Sequence, residues 1–382
     1  MPGKVAVLPP HSAHQVWVPD PLLRRAALVD LDSGRMLGMV NGGFGNTTPL
    51  FAPDGSELYV PETYYSRGSR GVRTDVLTVY DAHTLVPSAE VVLPPKRSIN
   101  GSFVGNAALE DSGRFAAVFN LTPATSLSIV DLREQRFVAE VPTPGCSLAY
   151  AAGVRRFASL CANGALLLIR LAPDGALASR QRSALFFDPE KDPVTEKGVR
   201  VGSRWIFASF EGVAHEVDLA GEAPRFSQWP LFTPAERKEG WRVGGAQHLA
   251  VHAASGRLYS LVHQGGEHTQ KQAGTELWVY DLATHKRVQR IELEMTGLSF
   301  LGRTLRLPGR WNRLLDWIYS LTPGPGVDVV QVTRDARPLI VTSSMFSAGL
   351  AIYDAESGRL LRRVYTGNTE NGGLLAPWAG AR

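Results

Sequence analysis

One pattern recurs along the whole chain: a run of alternating apolar residues that ends in Asp, a short turn, and a second apolar run. Residues 26–30 end in Asp30 and are followed by 34–37, and the same unit returns at 77–81, 127–131, 213–218, 277–281 and 350–354. A seventh copy, 166–170, ends in Arg170 instead of Asp and keeps a following turn at Asp174 and Gly175. Each copy is preceded by a β-branched or aromatic run, at 14–18, 57–60, 114–118, 156–158, 204–207, 257–260 and 338–341. Period-two runs separated by turn residues read as strands. Asp54-Gly55, Ser112-Gly113 and Ser255-Gly256 supply turn pairs in which Gly takes positive φ at little cost. The terminal residues lie 51, 50, 39, 48, 63 and 73 positions apart, the length of a four-stranded propeller blade with loop insertions. A chain of 382 residues could hold two or three ordinary domains, but this repeat predicts one all-β, seven-bladed β-propeller over residues 1–382.

Composition narrows what such a propeller does. Hydrophobic residues make up 44% and charged residues 20%, the balance of a globular chain with a sizeable core. The net charge of +4 comes from scattered arginines, so no basic stripe marks a nucleic-acid partner. Two segments are locally basic, 64–75 with Arg67, Arg70 and Arg73, and 303–313, and both read as docking surfaces. No run of 18 apolar residues predicts a transmembrane segment. The start, Met1-Pro2-Gly3-Lys4, lacks a signal-peptide core, which fits either a cytoplasmic chain or an export signal already removed. Cys146 and Cys161, 15 positions apart, can form a disulfide worth roughly 3 kcal/mol or remain two buried thiols, and spacing does not choose.

A search for reaction chemistry finds little. A once-per-blade Asp is distributed around the ring, so it serves backbone N–H groups of the next turn and not catalysis. No nucleophile elbow, P-loop or dinucleotide fingerprint is present, and Gly42-Gly43-Phe44-Gly45 follows a strand without the helix that a phosphate loop needs. His248, His252, His263, Glu267 and His268 fall within 21 residues. The first two, four apart on a predicted strand, would stand about 13 Å apart, too far to share an ion. Neither a catalytic residue nor a metal site is predicted. The pattern breaks before the last blade, where Trp311, Leu314, Leu315, Trp317, Ile318 and Leu321 follow helical spacing between Pro308 and Pro323. This predicts a helical insertion at about 303–323, packed on the propeller or docking a partner protein or a membrane surface.

Several segments resemble the heavy subunit of the bacterial quinoprotein amine dehydrogenases, the methylamine and aromatic amine dehydrogenases. Tyr65, Ser66, Arg67, Gly68, Ser69, Arg70, Gly71, Val72, Arg73, Thr74 and Asp75 look like that family's Ser-Arg…Arg-Gly-x-Arg-(Thr/Ser)-Asp loop. Pro94-Pro95-Lys96-Arg97 and Ser126 are closer to the aromatic amine branch. Gly145-Cys146 with Leu160-Cys161-Ala162-Asn163-Gly164 are similar to its two-cysteine blade. Gly240 to Gly245 resemble its Trp-x-Pro-Gly-Gly turn, and His263 to Lys271 its His/Gly/Glu/Lys loop, so the likeness covers roughly 14–375.

That resemblance implies a propeller without its own cofactor, two copies of which assemble with two small light subunits bearing tryptophan tryptophylquinone. It implies oxidative deamination of primary amines to aldehyde and ammonia in the periplasm, with electrons passed to a small blue copper protein or cytochrome c. It also implies a Cys146–Cys161 disulfide, since that compartment is oxidising. Leu22, Leu23 and Phe44 become candidates for the substrate channel, against burial in the propeller core. Tyr64, Tyr65, Ser66, Arg67, Arg70, Arg73 and Asp75 become candidates for light-subunit contact. The chain departs from the pattern in its insertion and in lacking the methylamine branch's long N-terminal arm, whose subunit contacts are then not expected. The alternative is a propeller that binds another partner and has no part in amine oxidation. An independent hydrolase propeller would need a Ca²⁺ ligand set in its central channel, which the sequence does not single out.

Overall fold

The repeated runs form strands because alternation gives each a face to bury against the neighbouring blade. In the computed structural model, which describes residues 6–45, 49–99, 101, 103–293, 326–344, 349–366 and 375–377, they build seven antiparallel sheets. Blade 2 runs from its inner to its outer strand as Leu50–Phe51, Glu57–Arg67, Arg70–Asp81 and Pro87–Leu93. Blades 3, 4, 5 and 7 repeat that order, with third strands Ser126–Asp131, Leu166–Leu171, Val213–Asp218 and Gly349–Asp354. In blade 6 the inner position is split, and Trp241–Val243 and Leu249–His252 pair with opposite halves of Arg257–Gln264. Blade 1 joins both ends of the chain: Ala376–Pro377 pairs with Val16 and Trp17 inside Gln15–Asp20, Arg25–Asp30 and Met36–Asn41, which closes the ring.

The core lies between blades. Trp17, Ala26 and Leu28 of blade 1 pack with Leu58, Val60 and Tyr80 of blade 2 in one buried cluster, and Tyr59 and Leu77 of blade 2 pack with Ala116 and Val118 of blade 3 in the next. The strand-end aspartates do what their spacing predicts. Asp30 Oδ1 accepts from the Ser33 N–H at 2.7 Å, Asp281 Oδ1 from Thr284 at 2.8 Å and Asp354 Oδ1 from Ser357 at 2.7 Å. In the copy that lacks Asp, Arg170 pairs with Glu222 at 2.6 Å across to blade 5.

One expectation needs correction. The segment 64–75 is not a loop: the second and third strands of blade 2 simply continue outward as a hairpin, with Tyr64 opposite Thr74 and Tyr65 opposite Arg73. A short helix, Pro234–Lys238, was not expected; its Thr233 and Glu236 form a reciprocal capping box at the N-terminus. The expected helical insertion at 303–323 lies outside the described residues.

Antiparallel order puts every turn between second and third strands, and every crossing from an outer strand to the next inner one, on the same face of the ring. That face carries the turn 21–24, the segment 42–45, the hairpin of blade 2, Cys146 and Cys161, the 240–245 turn and the 265–275 loop. All segments that carried the family resemblance therefore open on one side.

Candidate functional site

The hairpin of blade 2 stands on a buried polar base. Asp75, fully buried, accepts from Thr63 Oγ1, Arg73 Nε, Arg73 Nη2 and the Arg97 backbone N–H, each at 2.8 Å. Arg97, buried to 4% exposure, donates Nε to Thr63 Oγ1 at 3.1 Å and Nη2 to the Phe44 carbonyl at 2.5 Å. Burial lowers the Arg97 guanidinium to about 10, against the pull of the Asp75 carboxylate. Beside it, the buried Glu62 accepts from the hydroxyls of Thr78 and Tyr80. Burial raises its carboxyl above the ordinary carboxylate range, partly offset by those hydroxyl donors.

Phe44 is fixed by the same base. Its N–H donates to the Thr63 carbonyl at 2.7 Å while its carbonyl accepts from Arg97. Gly43 precedes it at φ 49°, and a side chain there would meet the Thr63 carbonyl oxygen at 2.4 Å, so the close approach requires glycine. The Phe44 ring meets Tyr65 edge-on, with centroids 5.1 Å apart, and the Arg24 guanidinium lies 3.5 Å from its centroid. Leu22 and Leu23 stand at 67% and 46% exposure in the turn that Asp20 Oδ1 holds through the Leu23 N–H at 3.0 Å. Core packing is thus excluded for both leucines.

The structure therefore joins two sets of residues that the sequence kept apart. Phe44, from the channel candidates, and Tyr65, from the docking candidates, belong to one patch. Leu22 and Leu23 share the turn of Arg24. Tyr64 is also exposed, at 41%, while Ser66, Arg67 and Arg70 form the exposed outer part of the hairpin. Arg73 and Asp75 differ from the rest: they face inward and hold the hairpin instead of presenting a surface. Arg97 and Arg24 escaped sequence reasoning. Arg97 sits in the Pro94-to-Arg97 run already singled out, but nothing local shows that it turns inward.

Cys146 and Cys161 are bonded to each other. They stand directly opposite in the ladder of blade 4's first two strands, so pairing of their strands brings them together. The histidines do not converge. His248 lies just before the strand Leu249–His252, within 3.0 Å of Thr195 Oγ1, and burial lowers it to about 3. His252 meets Ser255 Oγ and the Asp335 carbonyl, and His263 the Thr269 carbonyl. Among the described residues no group of three or more His, Cys, Asp or Glu is placed to hold a metal ion.

Fold and face together define a seven-bladed propeller whose blade 2 extends as an aromatic and basic hairpin. The chain belongs to the methylamine dehydrogenase heavy chain family, whose family model matches residues 12–300. It is 27% identical over 362 residues to the methylamine dehydrogenase heavy chain of Methylorubrum extorquens, covering 93% of this chain and 80% of that one. Against the heavy chain of Paracoccus versutus it is 29% identical over 363 residues, 93% and 78% of the two chains. Among solved structures, a functionally unknown protein from Desulfotomaculum acetoxidans shares the fold at a TM-score of 0.59 and 13% identity, covering 95% of this chain and 98% of that one. A dihydro-heme d1 dehydrogenase shares it at 0.54 and 17%, covering 99% and 78%. At those identities the likeness concerns the fold alone.

Proposed function

We propose that this chain is the non-catalytic heavy subunit of a quinoprotein amine dehydrogenase. It holds a small light subunit, which carries tryptophan tryptophylquinone, against the hairpin face, and Leu22, Leu23 and Phe44 line the way of the amine to it. The overall reaction takes a primary amine and water to aldehyde and ammonia, with two protons and two electrons released. The quinone of the light subunit is the electron sink, and a small blue copper protein or cytochrome c takes the electrons onward. This chain contributes walls and position.

One observation carries the reading: the exposed Tyr64, Arg67 and Arg70 and the half-buried Tyr65 stand on a base in which half-buried Arg73 meets buried Asp75 and Arg97, and that base also fixes Phe44. A surface ordered before its partner arrives loses less conformational freedom on binding. The disulfide fits an oxidising compartment, in keeping with a periplasmic site of action. No helix among the described residues is long and apolar enough to cross a membrane. Assembly as two heavy and two light subunits follows the family resemblance. Co-expression with an amine dehydrogenase light subunit tests the proposal. A stoichiometric complex that Tyr65→Ala and Arg70→Glu disrupt is expected. Failure to form any complex would favour a propeller that binds another partner.

A further inference from the structure

Arg24 is an exposed residue with a left-handed backbone, φ 53°, a conformation that non-glycine residues hold only where neighbours fix it. Here the neighbours are evident: the Gly42 N–H donates to the Arg24 carbonyl at 2.8 Å, and Asp20 ties the turn through Leu23. The result is a guanidinium 3.5 Å from the centroid of Phe44. The ring beneath cannot shift its backbone, since Thr63 and Arg97 hold its N–H and carbonyl, and Tyr65 stands at its edge, 88° from its plane. An aromatic face attracts a cation through its quadrupole, and Arg24 already supplies one. A primary alkylamine, with a pKa like that of lysine near 10.4, arrives at neutral pH as a competing cation.

We propose that Arg24 is a specificity-determining residue: its guanidinium occupies the face of Phe44 on which a small alkylammonium ion would otherwise lodge. The proposal rests on the reading that Phe44 lies on the path of the amine. Small ammonium ions are held off the ring by occupancy and like charge. Amines with a larger apolar body can lie along the exposed Leu22 and Leu23 with the charge directed away from Arg24.

Titration of the full chain with tetramethylammonium chloride tests occupancy without a light subunit, read from the ring resonances of Tyr65 by NMR and assigned with Tyr65→Phe. Arg24→Gln is expected to bind the ion at least about three-fold more tightly than the native chain, the scale of an exposed cation–π contact. Phe44→Leu added to that variant is expected to abolish the gain, and Arg24→Lys to retain most of the masking. Equal binding by native and Arg24→Gln chains, or a gain that survives Phe44→Leu, overturns the proposal. In the assembled enzyme, Arg24→Gln is expected to shift kcat/KM toward methylamine relative to benzylamine by a similar factor, through KM and not kcat. An unchanged ratio overturns the specificity role. Should no light subunit assemble, the function proposed above falls, while the ammonium titration still decides whether Arg24 masks Phe44.

Discussion

Asp75→Asn is the substitution with the most predictable local consequence. The side chain keeps its size, but the buried negative charge that receives two nitrogens of Arg73 and the backbone of Arg97 is gone. Arg97 is then a guanidinium at 4% exposure without its main counter-charge, and the new amide N–H₂ points a donor at donors. Removing one partner of a buried pair costs about 3–5 kcal/mol. The lower figure applies because Thr63 and the Phe44 carbonyl still accept from Arg97. About 3 kcal/mol corresponds to roughly a hundred-fold increase in local opening. Hydrogen exchange over the hairpin, residues 60–78, and over 42–45 should accelerate by that factor, while blades 4 to 6 keep their protection. Arg97→Met should act alike, and Asp75→Leu with Arg97→Met should cost less than the sum of the singles, since the two groups share one hydrogen-bonded network. An acceleration below about three-fold, or additive single effects, would refute the idea that this network sets the hairpin.

Other predictions follow from the buried groups. Glu62, whose carboxyl is raised by burial, binds more protons folded than unfolded, so its contribution is full below the ordinary carboxylate range and lost as pH rises through the raised value. Glu62→Gln should therefore flatten the fall of hairpin stability as pH rises above the ordinary carboxylate range in exchange measurements, whereas an unchanged slope would contradict it. His248 is lowered to about 3, so it favours the fold above its ordinary 6.5 and that stability is lost as pH falls from 6.5 toward 3. In His248→Gln the acid limb of a thermal-unfolding series should be shallower. Replacing Cys146 and Cys161 together by Ala should lower stability by roughly 3 kcal/mol, by the loop-closure argument for a 15-residue separation, and reduction of the native chain should match it.

Much of the fold is legible in the sequence because the second and third strands of each blade are long, alternating and bounded by turn residues, as at Ala26 to Asp30. The inner strands were not legible. Leu50–Phe51 and Val199–Val201 span two and three residues, too few to show a period, and their pairing is set by the ring. The outward extension of blade 2 escaped for a different reason: between the half-buried Tyr65 and Arg73 both strands run exposed, so 66–72 carry no apolar alternation. The candidate face was half legible. Its residues were named through family resemblance, yet what binds Asp75 to Arg97, or Arg24 to Phe44, is a contact across 22 or 20 positions of chain that no local pattern records. The Cys146–Cys161 pair, open by spacing alone, was decided by strand register.

The central claim is that this propeller serves as a platform for a quinone-bearing partner. Affinity isolation of the chain from its native cells, followed by mass spectrometry and an absorption spectrum of the complex, tests it most directly. The account predicts an equimolar small chain that carries a quinone chromophore, bleached on addition of a primary amine, and loss of that chain from the Tyr65→Ala, Arg70→Glu variant. Isolation of the propeller alone, or with a colourless partner indifferent to amines, would contradict it.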